Sequence, residues 1–285
     1  MDLAFNTYKR EDWLRSISEY SQIRQEPANS EQLIFRFDNL VASELKPIHI
    51  ASLACLIEHF SRLRYTVCLD RTEVGRYLFD SLKFREYWAG KRTYTIANDK
   101  SVLNLWHITD NEKELYGQYV KEYLQNHFWK KKDLTSVQSS ITEACYNTLD
   151  HSNAEGNAFS FIKYDRDSHL LGNAVCDFGI GIAESVKSVY PELSDEDALL
   201  KAIEVKFTIK SKSYNSGMGL DIIKSSVTDD KNMVIISNRA FLIADNQKEI
   251  SRPLEFSFPG TLLSYDINLS KYDDDEERLY EVSLF

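Results

Sequence analysis

The chain of 285 residues is poor in the residues that break or crosslink a fold, with ten glycines, five prolines and four cysteines. So little Gly and Pro leaves no low-complexity linker, and domain boundaries have to be read from periodicity. Cys55, Cys68, Cys145 and Cys176 are widely spaced and form no C-x-x-C pair, which argues against a zinc site or a disulfide framework. Each stands among apolar neighbours, as a small buried hydrophobe does. No uninterrupted apolar run approaches the roughly 18 residues that span a bilayer. Residues 1–10 lack the basic-then-apolar pattern of a secretory signal, so the expected location is the cytoplasm, with no membrane partner. Positive charge is also short: 34 Lys and Arg against 44 Asp and Glu give a net charge of −10. That balance disfavours nonspecific binding to nucleic acid or an anionic membrane. The run Lys130, Lys131, Lys132 reads as a solvated helix end.

What is present is ordinary for a globular chain: 43% hydrophobic and 27% charged residues. Periodicity predicts a helix over 10–25, a strand over 33–37, a helix over 48–63, a strand over 65–69 and a helix over 73–88. Strands alternating with helices at this spacing give a small α/β layer for residues 1–109. In the second half, helices are expected at 111–129, 135–151, 182–189, 195–205 and 219–228. Strands are expected at 158–164, 170–176, 233–237, 240–244, 254–258 and 261–268. Hairpin-like strands beside several helices make 110–270 an α+β sandwich with a mixed, largely antiparallel sheet. Residues 271–285 are an acidic C-terminal tail.

Chemistry concentrates in four places. On the helix over 135–151, Glu143, Asn147, Asp150 and His151 fall at i, i+4, i+7 and i+8, one face of the helix. An Asn oxygen is a hard neutral ligand for Mg²⁺, and a Glu one turn away can orient or deprotonate a water; the bland reading is a solvated polar face. In Val175-Cys-Asp-Phe-Gly-Ile-Gly-Ile182 an apolar strand ends at Asp177, and Gly179 and Gly181 precede a helix. Such glycines permit positive φ and close backbone approach to a ligand, although many such turns are only tight turns. Gly217 and Gly219, followed by Leu220, open another apolar helix whose free N–H groups suit an anion. Pro259-Gly260-Thr261 leads into the last strand.

Taken in this order, the four segments resemble the motif set of the GHKL ATPase superfamily, the gyrase, Hsp90, histidine-kinase and MutL group. Glu143-x-x-x-Asn147 followed by Asp150-His151-Ser152 looks like its N-box. Asp177-x-Gly179-x-Gly181-Ile182 looks like the first glycine box, Gly217-x-Gly219-Leu220 the second, and Gly260-Thr261 the closing strand. The resemblance covers about 110–270 and implies a Bergerat-type fold that binds ATP with Mg²⁺. It assigns Asn147 to the metal, Glu143 to the general base, Asp177 to the adenine amino group and Thr261 to support of the base. Gly181 and its neighbours would shape the adenine pocket, and Gly217 and Gly219 would hold phosphates beneath a lid at about 189–216. Lys210 and Lys212 in that lid could reach the polyphosphate as point charges, and Thr208 matches the stretch before the second glycine box.

Two other likenesses fail. Asp177-Phe178-Gly179 spells the D-F-G of protein kinases, but no V-A-I-K lysine or H-R-D loop stands upstream. His59 in Glu58-His59-Phe60-Ser61-Arg62 lacks the proline-bearing continuation of a phosphoacceptor histidine, and a strand follows at once. With Phe37-Asp38 before a loop and a helix from Ile48, then Tyr65-Thr-Val-Cys-Leu69 and Tyr77-Leu-Phe-Asp-Ser-Leu-Lys-Phe84, residues 1–109 look like a STAS-type domain, the kind often switched by anti-sigma kinases that share this ATPase fold. The implied function is an ATP-dependent regulatory protein, hydrolysing ATP slowly or passing phosphate to a Ser or Thr of a protein partner, which the resemblance suggests is a STAS-domain or signalling protein. The alternative is a non-catalytic switch that uses ATP only as a conformational ligand. A nucleotide-dependent homodimer is a further expectation of the family.

Overall fold

Short apolar runs alternating with amphipathic stretches in the first third fold as parallel strands joined by helices. The computed structural model describes residues 1–23, 31–89, 97, 100–103, 105–109, 113–152, 156–204, 219–227, 233–245 and 247–272, without the side chains of 113–114 and 149–152. Strand β1 (Asp2–Ala4), helix α1 (Arg10–Ile23), β2 (Gln32–Arg36), α2 (Pro47–Arg62) and β3 (Thr66–Leu69) follow in turn. The three strands pair in the order β1-β2-β3, parallel throughout. Strand β1 is too short to show a period and was not expected. The helix expected over 73–88 is broken into α3 (Glu73–Arg76), a π-helical turn at Tyr77–Ser81 and α4 (Phe84–Trp88). The break falls at Lys83, whose φ of 61° is left-handed, a conformation that cannot continue a right-handed helix.

Helix α2 explains how the halves of the chain join. Its sequence, PIHIASLACLIEHFSR, is apolar nearly all round, and 13 of its 16 residues are buried. A helix of that kind needs cover on every side. It gets this by lying between the parallel sheet and the back of a second, larger sheet, packing on the strands introduced next as β5 and β6. Its first turn is closed from within: the Lys46 N–H donates to His49 Nδ1 at 3.0 Å, and the His49 N–H returns a bond to the Lys46 carbonyl at 3.0 Å. Burial pushes the His49 imidazole down to about 4, with the Tyr8 carbonyl opposing and Lys46 adding to the fall.

The larger sheet carries the second half. Its elements are β4 (Trp106–His107), α5 (Lys113–His127), α6 (Thr135–Ser152), β5 (Ala158–Asp165), β6 (Leu170–Asp177), α7 (Ile182–Lys187), α8 (Asp195–Ala202), α9 (Gly219–Ser226), β7 (Met233–Ala244) and β8 (Glu249–Asn268). The strands run β4-β5-β6-β8-β7 with every neighbour antiparallel. The molecule is thus mixed α/β, a five-stranded antiparallel sheet beside a three-stranded parallel one. The four short strands expected over 233–268 are two long ones. Ser237-Asn238-Arg239 and Pro259-Gly260 have turn composition, but they form a bulge that shifts the β7–β8 register instead of ending the strands.

Strand alternation divides the core in two. Leu171, Val175, Leu263 and Ile235 face front, under α5 to α9. Phe161, Ala174, Cys176, Ile236 and Leu262 face back, against the N-terminal layer. Beyond the bulge the β7–β8 hairpin reaches over α1. There the Ser18 hydroxyl donates to the Ser257 carbonyl at 2.5 Å, Arg15 pairs with Glu255 at 2.8 Å, and Arg252 pairs with Glu11. Among the described residues no helix is long and apolar enough to cross a membrane.

Candidate functional site

Register places a polar row at one end of the front face. Asp177 closes β6 opposite Thr261 of β8, and Thr261 stands opposite Ser237 of β7. All three have the parity of the front-facing Val175, Leu263 and Ile235, so their side chains meet on the helical side of the sheet. All three are buried. Sequence reasoning named Asp177 and Thr261; it did not find Ser237, which lay at the end of an expected strand with nothing to mark it.

Asp177 is the anomaly in the row. It is 0% exposed, and neither carboxylate oxygen has a hydrogen-bond partner among the described residues. Burial holds its pKa well above the ordinary carboxylate range, while the backbone N–H groups of Thr261 and Gly179 pull the other way. They lie near enough to lower the pKa but do not meet bonding geometry, so the carboxylate's acceptor capacity is unused. A buried polar group left unpaired costs about 1–3 kcal/mol, more when charged. Native interiors rarely keep one without a use.

The turn after Asp177 is held by its neighbours. Of its two glycines only Gly181 has positive φ, at 85°. A Cβ on Gly181 would stand 2.4 Å from Asn238 Oδ1 and 2.5 Å from Ser237 Oγ, so side chains of β7 already fill the space against it. The first N–H groups of α7 are satisfied the same way: Ile182 donates to Thr261 Oγ1 at 2.9 Å, Ala183 to Ser237 Oγ at 3.4 Å and Glu184 to Asn238 Oδ1 at 3.3 Å. Gly181 therefore serves close packing inside the protein, the structural role that its sequence pattern also allowed. Gly260 is under stricter demand. Its φ is 136°, and a Cβ there would lie 2.3 Å from the Asp177 carbonyl and 2.8 Å from Asp177 Oδ1.

Helix α6 covers the same face, packing on β6, α7 and α9. Val137, Ile141, Ala144 and Cys145 are its buried stripe, which leaves Glu143 and Asn147 half-buried. Asn147 Nδ2 donates to the Glu143 carbonyl at 2.9 Å. That bond commits the donor end of the amide and turns its oxygen, the atom a cation would use, away from it. Ser140 of α6 meets Ser226 of α9, hydroxyl to hydroxyl, at 3.0 Å, tying the helix of Glu143 and Asn147 to the helix that Gly219 opens. Ile182 and Leu220 are buried in the front core.

Other expected members fall elsewhere. Thr208, Lys210, Lys212 and Gly217 lie outside the described residues, as does the side chain of Asp150. Of the lid expected over 189–216, residues 189–204 are described, and the helix expected there is present. Helix α8 occupies 195–202 and buries Ala198 and Leu199 in the front core, with Ile203 just beyond it. It is anchored by the Lys187–Asp195 ion pair at 2.6 Å and by the Arg239 N–H on Asp195 at 3.0 Å. Its apolar face makes it part of the wall.

Among the described residues no group of three or more His, Cys, Asp or Glu could hold a metal ion. A Mg²⁺ on Asn147 would have to complete its shell from ligand phosphates and water, the usual habit of that ion. A cavity of about 940 Å³ lies away from this row, between the N-terminal layer and the back of the sheet, lined among others by Lys46, Pro47, Lys163, Arg166, Gly172 and Asp266. Four cationic and four acidic side chains line it, so its charge selects no class of ligand, and the orphaned carboxylate is the stronger sign of a site. No protein-family model matches this chain, and no curated protein matches it.

Proposed function

We propose that the front face around Asp177 binds an adenine nucleotide, ATP with Mg²⁺, and that the second half of the chain is a Bergerat-type domain of the GHKL kind. The observation that carries this reading is the Asp177 carboxylate, fully buried and without a partner, at the strand end where the motif order requires an acceptor. An exocyclic amino group donating to it would supply the missing bond and remove the cost of leaving it unpaired. The neighbours fit the same ligand. Thr261 Oγ1 accepts the Ile182 N–H and stands 3.3 Å from Ser237 Oγ, so its hydroxyl can pair with Ser237 or turn, directly or through water, to a base nitrogen.

Asn147 would supply one oxygen to Mg²⁺, and Glu143, one turn earlier on α6, would take the proton of an attacking water or hydroxyl. ATP brings the phosphoanhydride; what the chain provides is position and charge neutralisation, which is most of what phosphoryl transfer asks of a protein. The function that follows is an ATP-dependent regulatory protein, hydrolysing slowly or transferring phosphate to a Ser or Thr of a partner protein.

Calorimetry with Mg²⁺ and ATP tests binding, and phosphate release tests turnover. Asn147→Ala is expected to weaken ATP at least tenfold in Mg²⁺ and to have little effect in EDTA. Glu143→Gln is expected to keep binding and lose release or transfer. Wild-type affinity after replacing both Asp177 and Asn147 would sink the pocket assignment. Binding without turnover, indifferent to Glu143, identifies a switch instead of a catalyst.

A further inference from the structure

The turn between Asp177 and α7 is anchored at its Asp177 end by the Phe178 N–H on the Asn157 carbonyl at 3.0 Å, but its far end has no side chain of its own to hold it. It spans Phe178, Gly179, Ile180 and Gly181, with a positive φ at Gly181 and an exposed Ile180. Helix α7 has glycine as its N-cap, which brings no side chain to satisfy the first turn. The missing caps come from another strand. Asn238 of β7 donates its Nδ2 to the Ile180 carbonyl at 2.9 Å and accepts the Glu184 N–H on Oδ1 at 3.3 Å. Ser237 donates to the same Oδ1 at 3.0 Å or to the Gly260 carbonyl at 3.1 Å, and its oxygen accepts the Ala183 N–H.

The bulge explains how one side chain reaches both ends of the turn. Register shifts flank Asn238 on both sides, and its φ of 51° lies in the left-handed region that Asn tolerates better than most residues. A bulge re-aims a side chain in this way. Asn238 therefore bridges the last carbonyl before Gly181 and the third N–H of α7, fixing the far end of the turn that begins at Asp177.

We propose that Asn238, positioned by Ser237, is the specificity-determining residue of the pocket, acting through the turn and not by touching the ligand. The proposal rests on the nucleotide reading above. A base with an amino group on the atom facing Asp177 donates to a carboxyl oxygen in either protonation state, whereas one with a carbonyl there is met only by the carboxyl proton and, where Asp177 is ionised, faces it acceptor to acceptor. That difference discriminates only while the wall beside Asp177 is rigid. A loosened turn lets the base shift and relieve the mismatch, so adenine preference falls along with adenine affinity, while contacts to the phosphates stay as they were.

Asn238→Gly is the cleanest variant, because Gly keeps the left-handed backbone and removes only the side chain. In the full-length protein, affinities for ATP, GTP and inorganic tripolyphosphate are measured with Mg²⁺ present, with Asp177→Asn as reference. The expected result is about a tenfold loss for ATP, the weight of one or two net hydrogen bonds. The ATP-to-GTP ratio should fall by a similar factor, with tripolyphosphate unchanged. Asn238→Asp retains the acceptor and the backbone tolerance but sets a carboxylate against the Ile180 carbonyl, and should show the same pattern; it decides the matter if the Gly variant does not fold. An unchanged ATP-to-GTP ratio, or equal losses for ATP and tripolyphosphate, overturns the proposal. If wild type does not bind ATP, or Asp177→Asn binds it as well, the nucleotide reading itself has failed, and the proposal fails with it.

Discussion

Replacing Asp177 by Asn should make the ligand-free protein more stable while removing its hold on adenine. Asn has nearly the same shape and keeps an oxygen for the nearby Thr261 and Gly179 N–H groups, but carries no ionisable proton. In the folded chain burial keeps the Asp177 pKa well above its ordinary value, whereas an unfolded Asp ionises near pH 4. Above pH 4 the native state therefore holds a proton that the unfolded chain has released, and rising pH favours unfolding until the folded pKa is passed. At pH 7 the effect has a ceiling of about 4 kcal/mol, the free energy of ionising an ordinary Asp from pH 4 to 7. Urea unfolding of both proteins at pH 7 should show a gain of up to about 4 kcal/mol for the variant, narrowing to nearly nothing at pH 4. A variant no more stable than wild type at pH 7, or a gain independent of pH, would refute the claim that this carboxylate is an unsatisfied burden.

Three further outcomes are expected. Gly260→Ala should cost about 2 kcal/mol or more, since strain at a glycine-only φ alone costs about 1–3 kcal/mol and its Cβ would stand 2.3 Å from the Asp177 carbonyl; chemical denaturation measures it. His49, held neutral with a pKa of about 4, contributes stability that is complete above about pH 6.5 and lost as pH falls toward 4. The loss is about 3 kcal/mol, and His49→Asn, which keeps an acceptor for the Lys46 N–H, should flatten that part of the pH curve. Light scattering with a nonhydrolysable ATP analogue should report a doubling of mass if nucleotide drives dimerisation, and an unchanged mass would refute that expectation.

Elements with a strong period were legible in the sequence. The boundaries of α2, α6, β5 and β6 fell within one residue of expectation, because each has a long apolar stripe or alternation. Strand β1 was missed because three residues carry no period, and the helix over 73–88 was overextended because Lys83 gives no sign of its left-handed backbone. Within the site, Asp177 and Gly181 stood out through local spacing. Ser237 and Asn238 did not, since their role arises from a bulge and from pairing with Thr261 across 24 residues. Turn-like composition at 237–239 and 259–260 was visible, but sequence cannot distinguish a strand end from a strand that bends.

The hairpin that clasps α1 has a consequence for synthesis. Ser18 and Ser257, and Arg15 and Glu255, are partners 239 and 240 residues apart. On a ribosome adding roughly 5–20 residues per second, α1 would wait about 12–50 s for its strand to be made. Throughout that interval the surface of α1 that the hairpin later covers has no native cover, so nascent chains stalled before residue 250 should be good clients for chaperones and proteases, and chains released with β8 complete should escape them.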